Sequence, residues 1–164
     1  MFAGAEARPP RYHPNEEMES MTLKALKCKV TDSKYTPARA HPHDAGLDLK
    51  AAENALLFPG DRQAVDTGVS VEIPDGYVGL VCARSGNAAR RGVGIVNGVG
   101  VIDAGYRGSV NVLLINHGRV NVTVKRGDRI AHLLIVPIET PSVEIVGSLS
   151  DSERGTGGLG STGR

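Results

Sequence analysis

The chain has 164 residues, with 19 Lys and Arg against 18 Asp and Glu, and such a length buries the core of one domain without disulfide support. The charge balance excludes a general nucleic-acid or membrane-surface binder, which needs a basic excess; the partner expected is a small molecule or further copies of the chain. Cys28 and Cys82 sit among apolar or small residues with no Cys or His at zinc-ligand spacing, so both read as reduced thiols in or near the core, in a reducing, cytoplasmic setting.

Residues 1–21 are polar and proline-containing with no apolar periodicity or signal-peptide run, and read as a disordered extension. From Thr22 the character changes: Leu23 to Val30 approaches the two-residue alternation of a half-buried strand. Short apolar runs follow at Ala55–Phe58, Val69–Ile73 and Tyr77–Val81, broken by Pro59-Gly60 and Pro74-Asp75-Gly76, a cadence that predicts an antiparallel sandwich or barrel. One short helix is predicted at Asn87–Arg91, with Ser85 to cap it and Gly92 to end it. The runs Val110–Ile115 and Ile130–Val136 are too continuously apolar for strands with one wet face, which predicts cover on both sides, most simply by another subunit. A domain over 22–148 and a glycine-rich tail over 149–164 complete the division.

Five segments carry candidate chemistry. Asp48 in Asp44-Ala-Gly-Leu-Asp48 reads equally as a solvated turn carboxylate or a site residue, and Arg84 with Asp128 or Arg129 as a surface pair. Arg84-Ser85-Gly86 opens the predicted helix with a guanidinium, a hydroxyl and free N–H groups, which suit phosphate oxygens as well as an ordinary serine cap. Asn97-Gly98 reads as a tight turn and Asp103-Ala-Gly-Tyr106-Arg-Gly108 as a longer hairpin loop, where an aspartate beside a tyrosine is turn chemistry or a general base beside a ring that packs on a sugar. Arg126-Gly-Asp128-Arg129-Ile-Ala-His132 is the fourth segment. The tail, with Arg154, Ser161 and Thr162 among glycines, is a floppy end or a cradle for polyphosphate. No Gly-Lys-Ser/Thr phosphate loop occurs, which excludes a P-loop ATPase or GTPase.

In this order and at these spacings the five segments resemble the motifs of the trimeric deoxyuridine triphosphatases (dUTPases), from about Leu23 to Gly163. The resemblance implies an all-β, jelly-roll-like (β-clip) domain and a homotrimer whose active sites are shared between subunits. It implies hydrolysis of dUTP to dUMP and pyrophosphate, which limits uracil in DNA and supplies dUMP for dTMP synthesis. Arg84, Ser85 and Gly86 would hold the α,β-phosphate region, and Asp48 would organise the site near Arg84. Asn97 with the main chain of Val101, Ile102 and Asn111 would read uracil. Tyr106 would pack on the deoxyribose and exclude a 2′-hydroxyl, while Asp103 would activate the water that attacks the α-phosphorus. Arg154, Gly158, Leu159, Gly160, Ser161 and Thr162 would close as a lid over a neighbouring site. Mg²⁺ would be held by the phosphates and water, with no direct protein ligand and Asp48 at most touching it through water.

Four positions depart from the family pattern: Ala83, Asn87, His132 for the usual glutamine, and Leu159 for the usual aromatic ring. His132 would contact the phosphate end with a side chain that ordinarily titrates near neutrality; Leu159 removes a stacking contribution of about 0.5 to 1.5 kcal/mol and predicts weaker lid closure. The related dCTP deaminases resemble the chain too, but they need a glutamate where this chain has Leu113. A nucleotide-switched regulatory protein is the alternative from another class, with residues 1–21 as the segment for a protein partner.

Overall fold

In the computed structural model residues 23–158 are described, and their regular structure is overwhelmingly extended. Ten strands follow in chain order: β1 (Lys27–Val30), β2 (Leu47–Lys50), β3 (Ala55–Leu57), β4 (Arg62–Glu72), β5 (Tyr77–Ala83), β6 (Val93–Ile95), β7 (Gly100–Ile102), β8 (Ser109–Asn116), β9 (Val122–Val124) and β10 (Arg129–Pro137). The helical elements are a 3-10 turn at Ser33–Tyr35 and one helix, α1 (Ser85–Arg91). All the ladders are antiparallel, in sheets ordered β1-β4-β8-β6 and β2-β10-β5-β7 with a small pair β3-β9. The expected all-β class is what the chain adopts. The predicted disordered extension over 1–21 lies outside the described residues.

Both sheets close on one core because their strands alternate. Val65, Val69 and Val71 from β4 and Val110, Val112 and Leu114 from β8 meet Leu49 of β2, Val81 of β5 and Leu133 of β10 in a single buried cluster. Each such side chain contributes about 1.5 to 3 kcal/mol on burial. Two polar residues in this interior are fully partnered. Asn116 donates its amide to the carbonyls of Leu57 and Val120 and accepts from the Gly118 N–H, and Thr67 donates to the Val110 carbonyl at 2.7 Å.

Several sequence expectations are corrected. The first strand begins at Lys27, at a sheet edge, and Cys28 on it is exposed rather than near the core, although its local surroundings still desolvate the thiol and push its pKa up. Helix α1 begins at Ser85, so the residue in the capping position is Arg84, which makes no side-chain cap bond; its guanidinium is drawn instead to Asp48. Gly92 ends the helix as expected, with φ 65° and its N–H on the Asn87 and Ala88 carbonyls. Within one chain the apolar run of β8 buries Val110, Val112 and Leu114 and leaves Asn111 and Leu113 exposed, the face for which cover by another subunit was expected. Finally, β7 pairs with β5 while β8 pairs with β4 and β6. The loop from Asp103 to Gly108 therefore crosses between sheets instead of closing a hairpin.

Candidate active site

The first cleft lies along β7. Because β7 is the edge strand of its sheet, only one side of it is used by the ladder to β5, in the register Gly79↔Ile102, Leu80↔Val101 and Val81↔Gly100. The other side faces the cleft with main-chain donors and acceptors free of the ladder. Close packing makes this possible: a Cβ on Gly100 would sit 3.1 Å from the Val81 Cβ. At the turn before β7, Gly98 takes φ 72° and donates to the Ile95 carbonyl at 3.0 Å, while the Val99 N–H donates to the Asn97 carbonyl at 2.8 Å. Asn97, Val101, Ile102, Asp103, Tyr106 and Asn111 all line this cleft, as six positions chosen from the sequence. Leu113, Ile95 and Val81 add apolar wall.

At the mouth, Asp103 is exposed and its carbonyl accepts from the Tyr106 N–H at 3.0 Å, which folds the loop back. The Tyr106 hydroxyl donates to the Ser109 carbonyl at 2.9 Å. Its ring lies so close over Gly108 that a Cβ there would come within 2.6 Å of Cζ.

The second cleft is charged. Asp48 on β2 is 7 % exposed; its Oδ2 takes a hydrogen bond from Arg129 Nη1 at 3.0 Å, and its Oδ1 lies 3.0 Å from Arg84 Nε and 3.2 Å from His132 Nε2. Register dictates the meeting, since His132 of β10 pairs with Asp48 on one side and Cys82, two residues before Arg84, on the other. Oδ1 nevertheless receives no aligned hydrogen bond. Arg84 Nε points its proton instead at His132 Nε2, 3.3 Å away. One nitrogen cannot both accept from Arg84 and donate to Asp48, so the two bonds exclude each other. Gly46 leaves room for the imidazole, because a Cβ there would stand 2.9 Å from the His132 Cβ.

Within one chain these clefts stay apart. β2 and β7 form opposite edges of a four-stranded sheet, and three inter-strand spacings separate edge from edge by roughly 14 Å. Asp48, Arg84 and His132 come together, as do Asn97, Val101, Ile102, Asp103, Tyr106 and Asn111, but the two groups do not meet. Ser85 and Gly86 stand at the start of α1 and line neither cleft. Arg154 is exposed and turns its Nε to the Gly157 carbonyl at 2.8 Å within its own turn. Gly158 is exposed, and Leu159, Gly160, Ser161 and Thr162 lie outside the described residues.

The structure gives a role to two residues that the sequence named without placing in the site. Arg129 supplies the aligned charge on Asp48, although a basic residue opening an apolar strand gave no sign of which way it would point. Asn87 ties α1 to β10 by donating to the Arg129 carbonyl at 3.1 Å. Among the described residues no group of three or more His, Cys, Asp or Glu is placed to hold a metal ion, and Asp48 is ringed by cationic groups rather than by further carboxylates. Such a group presents net positive charge to a ligand and suits an anion.

A family model described as dUTPase matches residues 32–163. A deoxyuridine 5'-triphosphate nucleotidohydrolase of Anaeromyxobacter sp. is 54% identical over 120 residues, covering 73% of this chain and 82% of that protein. Among solved structures, a mutant dUTPase of Staphylococcus bacteriophage 80alpha with dUpNHpp superposes with a TM-score of 0.81 at 32% identity, covering 87% of this chain and 100% of that one. A mutant dUTPase from phage phi11 of S. aureus, described for its coordination of a structural Mg(II) ion, has a TM-score of 0.72 at 29% identity, covering 77% and 99%.

Proposed function

The chain belongs to the dUTPase family, and from that premise we propose how it hydrolyses dUTP to dUMP and pyrophosphate. The observation that carries the reading is the β7 cleft: an unpaired strand edge, a tyrosine and a single exposed carboxylate face one space. Main-chain groups of Val101, Ile102 and Asn111, with the amide of Asn97, present fixed donors and acceptors that match the edge of uracil. A rigid edge of this kind discriminates between bases because a mismatched partner leaves buried polar groups unsatisfied. Tyr106 packs against the sugar and leaves no room for a 2′-hydroxyl. Asp103 orients and deprotonates the water that attacks the α-phosphorus in line.

The charged cleft takes the phosphates. Arg84, with Ser85 and Gly86 behind it, holds the α,β-phosphate region, while Asp48 keeps Arg84 and Arg129 in place and His132 closes the group. Mg²⁺ would be held by phosphate oxygens and water and would supply charge neutralisation, with Asp48 meeting it at most through water. Positioning and electrostatics are then the whole of the protein's task. The leucine that faces the cleft at 113 offers no proton shuttle, which speaks against deamination.

Since the clefts lie at opposite edges of one sheet, the working site is assembled between copies, in a homotrimer. Exposed apolar side chains support this: Leu113 on β8 and, after β10, Val143 at 92%, Ile145 at 94% and Leu149 at 87% exposure. The segment from 149 onward is the lid, reaching a neighbouring site with Arg154 and the residues from Gly158 to Thr162. A cytoplasmic role in limiting uracil in DNA and supplying dUMP follows from the reaction. No described helix is long and apolar enough to cross a membrane.

The test is pyrophosphate release from dUTP, with dCTP, dTTP and UTP beside it, for wild type and Asp103→Asn, with and without Mg²⁺. Release confined to dUTP, falling about 10²- to 10⁴-fold in the variant, is expected. Unchanged turnover in Asp103→Asn would remove Asp103 as the base.

A further inference from the structure

Where β4 runs beside β8 the ladder is interrupted. Asp66 pairs with Asn111 and Ser70 with Ser109, so three residues of β4 stand opposite Val110 alone. Gly68 makes the bulge possible: it takes φ 66°, and a Cβ there would lie 3.1 Å from the Tyr35 ring and 3.2 Å from Ala52. Side chains take over from the missing ladder bonds. Thr67 donates to the Val110 carbonyl, and Asp66 Oδ1 accepts both the Gly68 N–H at 3.0 Å and the Ser109 hydroxyl. Asp66 is held in turn, its N–H on Glu53 Oε1 at 2.9 Å and its carbonyl taking the Ala52 N–H at 2.7 Å.

Ser109 is also the residue on which the cleft hangs. Its carbonyl accepts the Tyr106 hydroxyl at 2.9 Å and the Asn111 side-chain amide at 3.1 Å. A chain of contacts thus runs from the β4 bulge through Asp66 and Ser109 to the ring at the cleft mouth. With Gly108 beneath it the ring is fixed from two sides, by its hydroxyl and by a floor that admits no Cβ.

We propose that Asp66 and Ser109 are positioning residues for sugar discrimination: the β4 bulge sets the direction of the Ser109 carbonyl, which sets the ring of Tyr106. The inference rests on the reading above that Tyr106 excludes a 2′-hydroxyl. Asp66 lies outside the cleft, and Ser109, which lines it, turns its hydroxyl to Asp66, so the consequence appears in selectivity rather than in the chemical step.

The experiment measures kcat/KM for dUTP and for UTP with the full chain in its native assembly, in Ser109→Ala, Ser109→Thr, Tyr106→Phe and the Ser109→Ala/Tyr106→Phe double variant. Ser109→Ala leaves the Gly68 N–H bond to Asp66 in place, so the bulge keeps its cap; Asp66→Ala would remove both bonds and is the riskier variant for folding. The dUTP-over-UTP ratio is expected to fall about three- to tenfold in Ser109→Ala and in Tyr106→Phe, the worth of one net hydrogen bond. The double variant should be no worse than the poorer single, because both substitutions cut one chain, and Ser109→Thr should restore the ratio. Tyr106→Ala separates the two levels of the argument. If it collapses the ratio while Ser109→Ala leaves it untouched, or if the two single effects simply add, the positioning role is wrong and the sugar reading stands. Should Tyr106→Ala itself leave the ratio unchanged, the sugar reading falls and takes the positioning role with it.

Discussion

At the β7 edge the cleft is walled by main chain and apolar side chains with one carboxylate, Asp103, whereas at the β2 edge Arg84, Arg129 and His132 crowd around the buried carboxylate of Asp48. The two regions share a sheet and solve different problems. A strand edge offers a fixed sequence of donors and acceptors and suits a neutral, planar, patterned ligand. A knot of guanidiniums on a buried carboxylate offers charge at a defined place and suits an anion whose own pattern is simple. The contrast teaches that specificity and charge neutralisation are built separately here, and the substitutions below are chosen to break one region while sparing the other.

Among the substitutions that separate the two clefts, the largest effect is expected at Asp48. Replacing it with alanine leaves Arg84 and Arg129 without their common acceptor, and kcat/KM for dUTP should fall about 10²- to 10³-fold, as when a preorganised electrostatic element is lost. A lower melting temperature is expected too; Arg129 is half exposed, so water replaces part of what its partner gave. Deoxyuridine, which lacks phosphates, should bind Asp48→Ala as it binds wild type in calorimetry. Equal loss for nucleoside and nucleotide would erase the division between the clefts. Next comes Gly98→Ala in the neutral cleft. Nothing lies within 4 Å of the added Cβ, so its cost is the backbone conformation alone, about 1 kcal/mol at φ 72°. Deoxyuridine and dUTP should weaken together, by about fivefold; loss confined to dUTP would contradict the assignment of this turn to the base.

How much of this was legible in the sequence differs between the regions for physical reasons. The β7 cleft was legible through the resemblance, whose third motif holds Asn97, Val101, Ile102, Asp103, Tyr106 and Asn111 in one short stretch; the residues alone left Asp103 and Tyr106 open between turn chemistry and a site. The charged cleft draws on β2, the start of α1 and β10: the resemblance implied that Asp48 lies near Arg84, but that Arg129 joins them follows only from strand register. Composition cannot announce register. The same limit hid the β4 bulge, since nothing about Asp66 in a run of strand-forming residues says that its partner strand will slip there. It also explains Cys28, which stands between Lys27 and Lys29 on a strand that pairing leaves at a sheet edge. The second face of β8 poses a related question, because an apolar run cannot say which chain will cover it.

Smaller effects sharpen the comparison. Raising ionic strength from a Debye length of about 30 Å to one of about 3 Å should raise KM for dUTP a few-fold while deoxyuridine affinity stays flat, since only the guanidinium end is screened; parallel changes would mean that the neutral cleft also works through charge.

The smallest expected effect is the most discriminating about geometry. His132 Nε2 stands 3.3 Å from Arg84 Nε and 3.2 Å from Asp48 Oδ1 and can serve only one of them at a time. A glutamine carries a donor and an acceptor on separate atoms, so His132→Gln can satisfy both neighbours together and should change kcat/KM for dUTP by no more than about twofold. Gly46→Ala acts on the same ring without altering its chemistry, by placing a Cβ 2.9 Å from the His132 Cβ, and in the wild-type background it should cost more activity than His132→Gln. In the His132→Gln background its penalty should shrink only if the ring, rather than the strand, gives way. An undiminished penalty there would place the strain in the β2–β10 pairing and make the imidazole a passive neighbour of Asp48.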